Sequence, residues 1–188
     1  MRLLFMGPPG AGKGTQAVKI CQQYKIPQIS TGEILRAAVK NGTDMGNKAR
    51  EYMDAGKLVP DEVVIGIVRD RIKEADAQQG YVLDGFPRTI EQADALGRML
   101  ESMGQKLDVA LNLEVPDAEL VKRLLDRAVK DGRADDTEPV IKNRLKTYND
   151  QTAPLIEYYK KKGILASIDG LGSMDAITER IQQVLQKV

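Results

Sequence analysis

The chain contains no histidine among its 188 residues. Without an imidazole, Ser–His and Cys–His nucleophilic systems and histidine-ligated metal sites are excluded. Any chemistry must run without the side chain that ordinarily titrates near neutral pH. Phosphoryl transfer is a reaction class that can dispense with it, because it depends mainly on positioning and on stabilising charge. There is one cysteine, Cys21. It has no internal disulfide partner and no companions for a zinc site. No apolar run approaches the roughly 18 residues that would suggest a membrane-spanning helix. The apolar run after Arg2 is too short for a signal peptide, so a cytoplasmic protein is expected. Charge of either sign is not in excess, with 28 basic against 27 acidic residues and a net charge of +1. That balance argues against a nucleic-acid or membrane surface overall. Apolar content of 42% and the length suit one globular domain.

What is present is an alternation. Short apolar runs at 3–6, 28–29, 81–83, 109–115 and 164–168 read as strands. Between them, helical patterns cover 14–24, 32–40, 61–77, 90–103 and 118–129, then 138–162 with Pro154 as a kink, and 174–187. Asp61, Asp117 and Ser173 stand where helix starts need them. Strands alternating with helices imply an α/β fold with a parallel sheet. Runs without clean polar alternation imply strands covered on both faces. Two stretches depart from this pattern. Segment 41–57 is polar and punctuated by glycine, and reads as a small helical insert. Segment 130–139, KDGRADDTEP, reads as a charged loop.

Directly after the first strand comes GPPGAGKGT, residues 7–15. Strand, glycine-rich turn and helix together make a phosphate site. The glycines let backbone N–H groups converge on an anion, and the helix N-terminus adds partial positive charge. Gly7-x4-Gly12-Lys13 fits the Walker A pattern, with one lysine able to reach the β- and γ-phosphates. The hydroxyl that many switch GTPases place directly after the lysine comes one position later, at Thr15, behind Gly14.

The GKGT order resembles the nucleoside monophosphate kinases, and further motifs resemble adenylate kinase in the same chain order. STGEILR (30–36) resembles the start of that family's monophosphate-binding insert, and KLVPD (57–61) its far end. LDGFPRTIEQ (83–92) matches a specific family signature. GRADD (132–136) resembles the lid, and NRL (143–145) the helix carrying a further arginine. The resemblance implies a P-loop three-layer fold with a five-stranded parallel sheet in a single domain, 1–188. Within it, 30–59 would form the insert and 127–137 a short lid. It implies reversible transfer of a phosphoryl group from ATP to AMP, giving two ADP and balancing the adenine nucleotides.

By the same resemblance, Gly10, Ala11, Gly12, Lys13, Gly14, Thr15 and Arg127 would hold ATP, with backbone at Gly172 meeting its adenine. Arg36 and Arg88 would hold the AMP phosphate, while Arg133 and Arg144 would close over the transferred group and AMP. Thr31, the backbone at Lys57, Leu58 and Val59, and Gln92 would surround the AMP base beside the turn Gly85, Phe86 and Pro87. The catalytic set is thus Lys13, Arg88, Arg127, Arg133 and Arg144, and arginine suits it because its planar fork grips two phosphate oxygens. Asp84, at a strand end, could orient water around the Mg²⁺ that accompanies ATP, without ligating the metal directly. Arg123 reads as a solvated face residue. No structural zinc and no obligatory oligomer are expected, and the partners are ATP, AMP and ADP.

Alternatives lie close by and farther off. A UMP/CMP kinase would share the architecture, but STG and TIEQ favour adenine. A nucleotide switch would carry an N-K-x-D guanine motif, and the one Asn-Lys pair, Asn47-Lys48, lacks the aspartate. A structural nucleotide-binding protein gives no reason for so many arginines.

Overall fold

The computed structural model describes residues 1–131 and 137–188. Arg133, with the rest of 132–136 in the expected lid, lies outside the described residues. The first strand, β1 (Arg2–Met6), buries Leu3, Leu4, Phe5 and Met6 without a polar interruption. A strand with apolar side chains on both faces needs cover on both, and the sheet supplies it. The other strands are β2 (Gln28–Ser30), β3 (Tyr81–Asp84), β4 (Val109–Glu114) and β5 (Leu165–Asp169). They pair in parallel in the order β2-β3-β1-β4-β5, with Leu3 opposite both Val82 and Val109. The expected five-stranded parallel sheet is therefore present.

Alternation along β1 sends Leu4 and Met6 into one core and Leu3 and Phe5 into the other. The first core takes α2 (Thr31–Lys40), α3 (Asp44–Asp54), α4 (Asp61–Arg71), α5 (Ile90–Ser102) and α8 (Pro154–Lys161) through residues such as Leu35, Val68, Leu96 and Leu155. The second takes α1 (Lys13–Tyr24), α6 (Asp117–Asp131) and α9 (Met174–Leu185) through Ile20, Leu120 and Ile181. Helix–sheet–helix layering follows. From β1 the chain crosses to the outer strand β2, returns to β3, and then passes to β4 on the opposite side. That reversal opens a crevice at the C-terminal ends of β1 and β3, where parallel sheets bind ligands.

Two helices differ from the sequence expectation. The pattern over 61–77 breaks because Arg71 forks onto both carboxylate oxygens of Asp76 at 2.8 Å. The Gln78 amide then collects the carbonyls of Ile72, Lys73 and Glu74, which ends α4 and leaves a short 3₁₀ turn at Ala75–Ala77. The pattern over 138–162 divides into α7 (Glu138–Thr147), a π turn at Tyr148–Thr152 and α8. Pro154 has no N–H and crowds the carbonyl four residues back, so the preceding turn widens. The N–H of Ala153 bonds Tyr148 O at 2.8 Å. This widening lets Thr152 Oγ1 donate to the carbonyl of Arg88 at 2.8 Å.

Candidate active site

The glycine loop turns beneath β4 and α6. Gly7 has φ +131, and a Cβ there would stand 2.7 Å from Leu113 O, so no other residue fits the turn. Inside the loop the Lys13 ammonium donates to Gly7 O at 2.8 Å and Pro8 O at 2.9 Å, which folds its stem back over the cradle. Burial pushes its pKa down to about 8. Asp84 opposes that shift, and the charges of Arg88, Arg144 and Arg127 add to it.

Across the crevice β3 ends at Asp84, whose Oδ2 accepts from Gln28 Nε2 at 3.1 Å. The chain then turns at Gly85, φ +78, where a Cβ would meet Arg88 Nη2 at 3.0 Å and Thr31 Oγ1 at 3.1 Å. Both side chains donate to the same acceptor, Gly85 O: Thr31 Oγ1 at 2.9 Å and Arg88 Nε at 2.8 Å. Burial lowers Arg88 to about 10, helped by Arg144 and Arg36 and resisted by Asp84.

The α5 start is a variant of the capping box. Thr89 is the N-cap, its Oγ1 accepting from Gln92 N at 3.1 Å. Gln92 Oε1 reaches back one residue further, to accept from Arg88 N at 2.7 Å. Asp61 receives Gln92 Nε2 at 2.7 Å and Thr89 Oγ1 at 2.9 Å. Beside it, Glu91 is held above the ordinary carboxyl range by hydrogen bonding to Asp61 and by its charge.

Helix α7 closes a third side. Asn143 Nδ2 donates to Ala55 O, and Thr147 Oγ1 to Gly56 O at 3.3 Å. Gly56 presses so near that a Cβ would be 3.0 Å from Arg144 Cγ. Arg144 thereby joins the wall formed by Lys57, Leu58 and Val59. These elements surround one cavity of about 760 Å³.

The cavity is lined by the expected donor-side residues, from Gly10 to Thr15 with Arg127 and Gly172. Thr31, Arg36, Gly85, Pro87, Arg88 and Gln92 line it too, as does Asp84. Phe86 does not. Its side chain is wholly buried, in the core with Leu83 and Leu96. Arg123, read from sequence as a solvated residue, instead lines the cavity. It is held there by Glu119 Oε1 at 2.8 Å and Gly170 O at 3.1 Å. The signal that could have found it is its spacing one helical turn before Arg127. Sequence reasoning also missed the use made of Asp61, a residue taken as a helix start and as the end of KLVPD.

A Walker A lysine facing converging arginines across a parallel-sheet crevice defines a P-loop phosphotransferase. The family model described as adenylate kinase matches residues 5–164. An adenylate kinase of Leptospira biflexa serovar Patoc is 66% identical over 180 residues, covering 96% of this chain and 97% of the relative. One from a Nocardioides species is 53% identical over 188 residues, covering 100% and 98%. One from Methanosarcina barkeri is 49% identical over 213 aligned positions, covering 100% and 99%. The chain belongs to the adenylate kinase family. It is an ATP:AMP phosphotransferase, and neither a UMP/CMP kinase nor a non-catalytic switch is favoured.

Proposed function

We propose that the cavity carries ATP:AMP transfer as two facing half-sites, with the residues in the following roles. On the donor side, backbone N–H groups from Gly10 to Thr15 cradle the ATP phosphates, Lys13 and Arg127 reach them, and backbone at Gly172 meets the adenine. On the acceptor side, Arg36 and Arg88 hold the AMP phosphate. Thr31, Gln92 and the backbone of Lys57, Leu58 and Val59 surround the base, and the turn Gly85–Phe86–Pro87 aims Arg88. Arg144, and Arg133 from the lid at 127–137, close over the group in flight. Segment 30–59 acts as the acceptor insert of a single 1–188 domain.

The observation that carries this reading is the convergence of Lys13, Arg36, Arg88, Arg127 and Arg144 on one cavity. Lys13 and Arg88 are both lowered by burial and by charges that include Arg144. Cations gathered at such a cost are complementary to a polyanion. As the phosphoryl group leaves ATP, negative charge spreads over its oxygens and over both neighbouring phosphates, and these groups stabilise it without reorganising. No general base is needed, and exclusion of water as the site closes would keep it from competing with AMP.

Asp84 fits a place beside a nucleotide-borne Mg²⁺. Its Oδ2 lies 3.6 Å from where a Cβ on Gly14 would be, an anionic oxygen facing the loop. Magnesium bound with ATP would neutralise charge between the β- and γ-phosphates, and Asp84 would orient its water. We assign no structural zinc, because the sequence holds one cysteine and no histidine. We also take the enzyme to be a cytoplasmic monomer, supported by a cavity that one chain encloses and by its free cysteine. Sedimentation equilibrium tests the monomer.

Product analysis with ATP and a panel of AMP, GMP, CMP and UMP tests the reaction. ADP should accumulate with AMP at an efficiency well above the others. A preference for CMP or UMP would overturn the acceptor assignment.

A further inference from the structure

A glutamine amide can sit in two orientations, related by a half turn, that exchange its donor and its acceptor. Two neighbours of Gln92 choose between them. The Arg88 N–H can only donate, and it meets Oε1 at 2.7 Å. An ionised carboxylate can only accept, and Asp61 Oδ1 meets Nε2 at 2.7 Å. Turning the amide over would set N–H against N–H and oxygen against oxygen. Asp61 is itself fixed, since its Oδ2 accepts from the Thr89 hydroxyl at 2.9 Å. Gln92 is only 1% exposed, yet it lines the cavity. After these bonds its amide retains one N–H and one lone pair.

A 6-aminopurine shows an acceptor (N1) beside a donor (the amino group) on its pairing edge. A 6-oxopurine shows the reverse, an N1–H donor beside an oxygen. A fixed amide satisfies the first and opposes the second at both positions. We propose that Asp61 is the positioning residue for acceptor selectivity: by locking the Gln92 amide, it makes the site accept 6-aminopurine monophosphates and reject 6-oxopurine monophosphates. This rests on the reading that Gln92 meets the acceptor base. Sites that reject a ligand by leaving buried polar groups unpaired discriminate strongly.

The experiment measures kcat/KM for AMP and for IMP at saturating ATP in wild type, Asp61→Asn, Gln92→Leu and the double variant. Asn can donate as well as accept at nearly the same shape, so one of the two constraints on the amide disappears. The AMP-to-IMP ratio should fall at least about tenfold in Asp61→Asn, mainly through the two KM values. It should fall also in Gln92→Leu, and adding Asp61→Asn to Gln92→Leu should change it no further. Asp61→Leu, apolar and similar in shape, serves as a second variant and should give the same loss. Thermal melting checks that each variant folds. If Asp61→Asn and Asp61→Leu lower both acceptors by one factor while Gln92→Leu collapses the ratio, the lock is wrong and the base-reading role stands. If Gln92→Leu also leaves the ratio unchanged, the lock falls together with the reading beneath it.

Discussion

Two buried glutamines, Gln16 at 2% exposure and Gln92 at 1%, stand at opposite walls of the cavity and do opposite work. Gln16 on α1 turns away from the ligand space. Its Nε2 donates to Met174 O at 2.9 Å and its Oε1 accepts from Thr178 Oγ1 at 2.8 Å. With the Lys19–Asp175 pair at 2.6 Å, it fastens the start of α9 to α1. On the proposed reading, backbone at Gly172 meets the donor base on the wall thus held, beside Met174 and Ile177. Gln92 instead keeps part of its amide for the cavity, while Arg88 N and Asp61 hold the remainder. A wall of backbone tolerates different bases. A wall of oriented side chains does not, because a mismatched partner leaves buried groups unpaired. The donor end should be permissive and the acceptor end strict.

The largest effect should come from Lys13→Met, which removes the charge that serves both ends. Turnover should fall by about a hundredfold or more, while the melting temperature stays level or rises, since the ammonium is held at a cost. Retention of a tenth of wild-type turnover would contradict its role.

Gln92→Leu should cut kcat/KM for AMP by roughly tenfold to a hundredfold. The ATP-to-GTP donor ratio should scarcely move. Equal losses at both ends would erase the contrast between the walls.

The third effect is read from pH. Lys13 is lowered to about 8, so the free enzyme loses its loop charge as pH rises through that value. The kcat/KM for ATP should therefore fall about tenfold per pH unit above the midpoint. The limb in kcat should lie higher, because bound phosphates favour the ammonium. For the ligand-free fold the sign is reversed. The depressed pKa destabilises below about 8, and that penalty lifts as pH approaches the ordinary value of 10.5. A flat kcat/KM profile from pH 7 to 9 would remove Lys13 as the titrating group.

The smallest effect belongs to Gln16→Met. Freeing the α9 start should raise KM for ATP and GTP together by about threefold to tenfold, with the acceptor ratios untouched. Loss of AMP selectivity instead would mean that the two walls communicate.

The sheet and the glycine loop were legible because their causes are local. A strand buried on both faces must be written as a continuous apolar run, as Leu3 to Met6 is, and the loop's spacing is covalent. Asp61 was not legible. Beside Pro60 it reads as the cap of α4, yet Pro60 holds the cap position and no side chain caps that helix. The Asp61 carboxylate turns instead to Thr89 and Gln92, 28 and 31 residues away. Arg123 was legible only in part: its spacing one turn before Arg127 is local, but the Gly170 carbonyl that fixes its guanidinium lies 47 residues on. Absence of histidine left no side chain that ordinarily titrates near neutrality. The lowered lysine arises from burial and from charges on separate elements. The break before Pro154 was legible in position but not in form, since a widened turn is settled by what Thr152 finds to bond.

The carbonyl of Gly85, shared by Thr31 and Arg88, also has a mechanical meaning. Thr31 is the first residue of α2, so the proposed acceptor insert is pinned at its root to the same oxygen that sets the heading of Arg88. A swing of the insert about that root would turn around a fixed point. Val59 and Arg36, farther along the arm, would travel with it, and Arg88 would keep its aim. The insert could then open to admit a base and close on it, while the phosphate end stays in register with the glycine loop throughout.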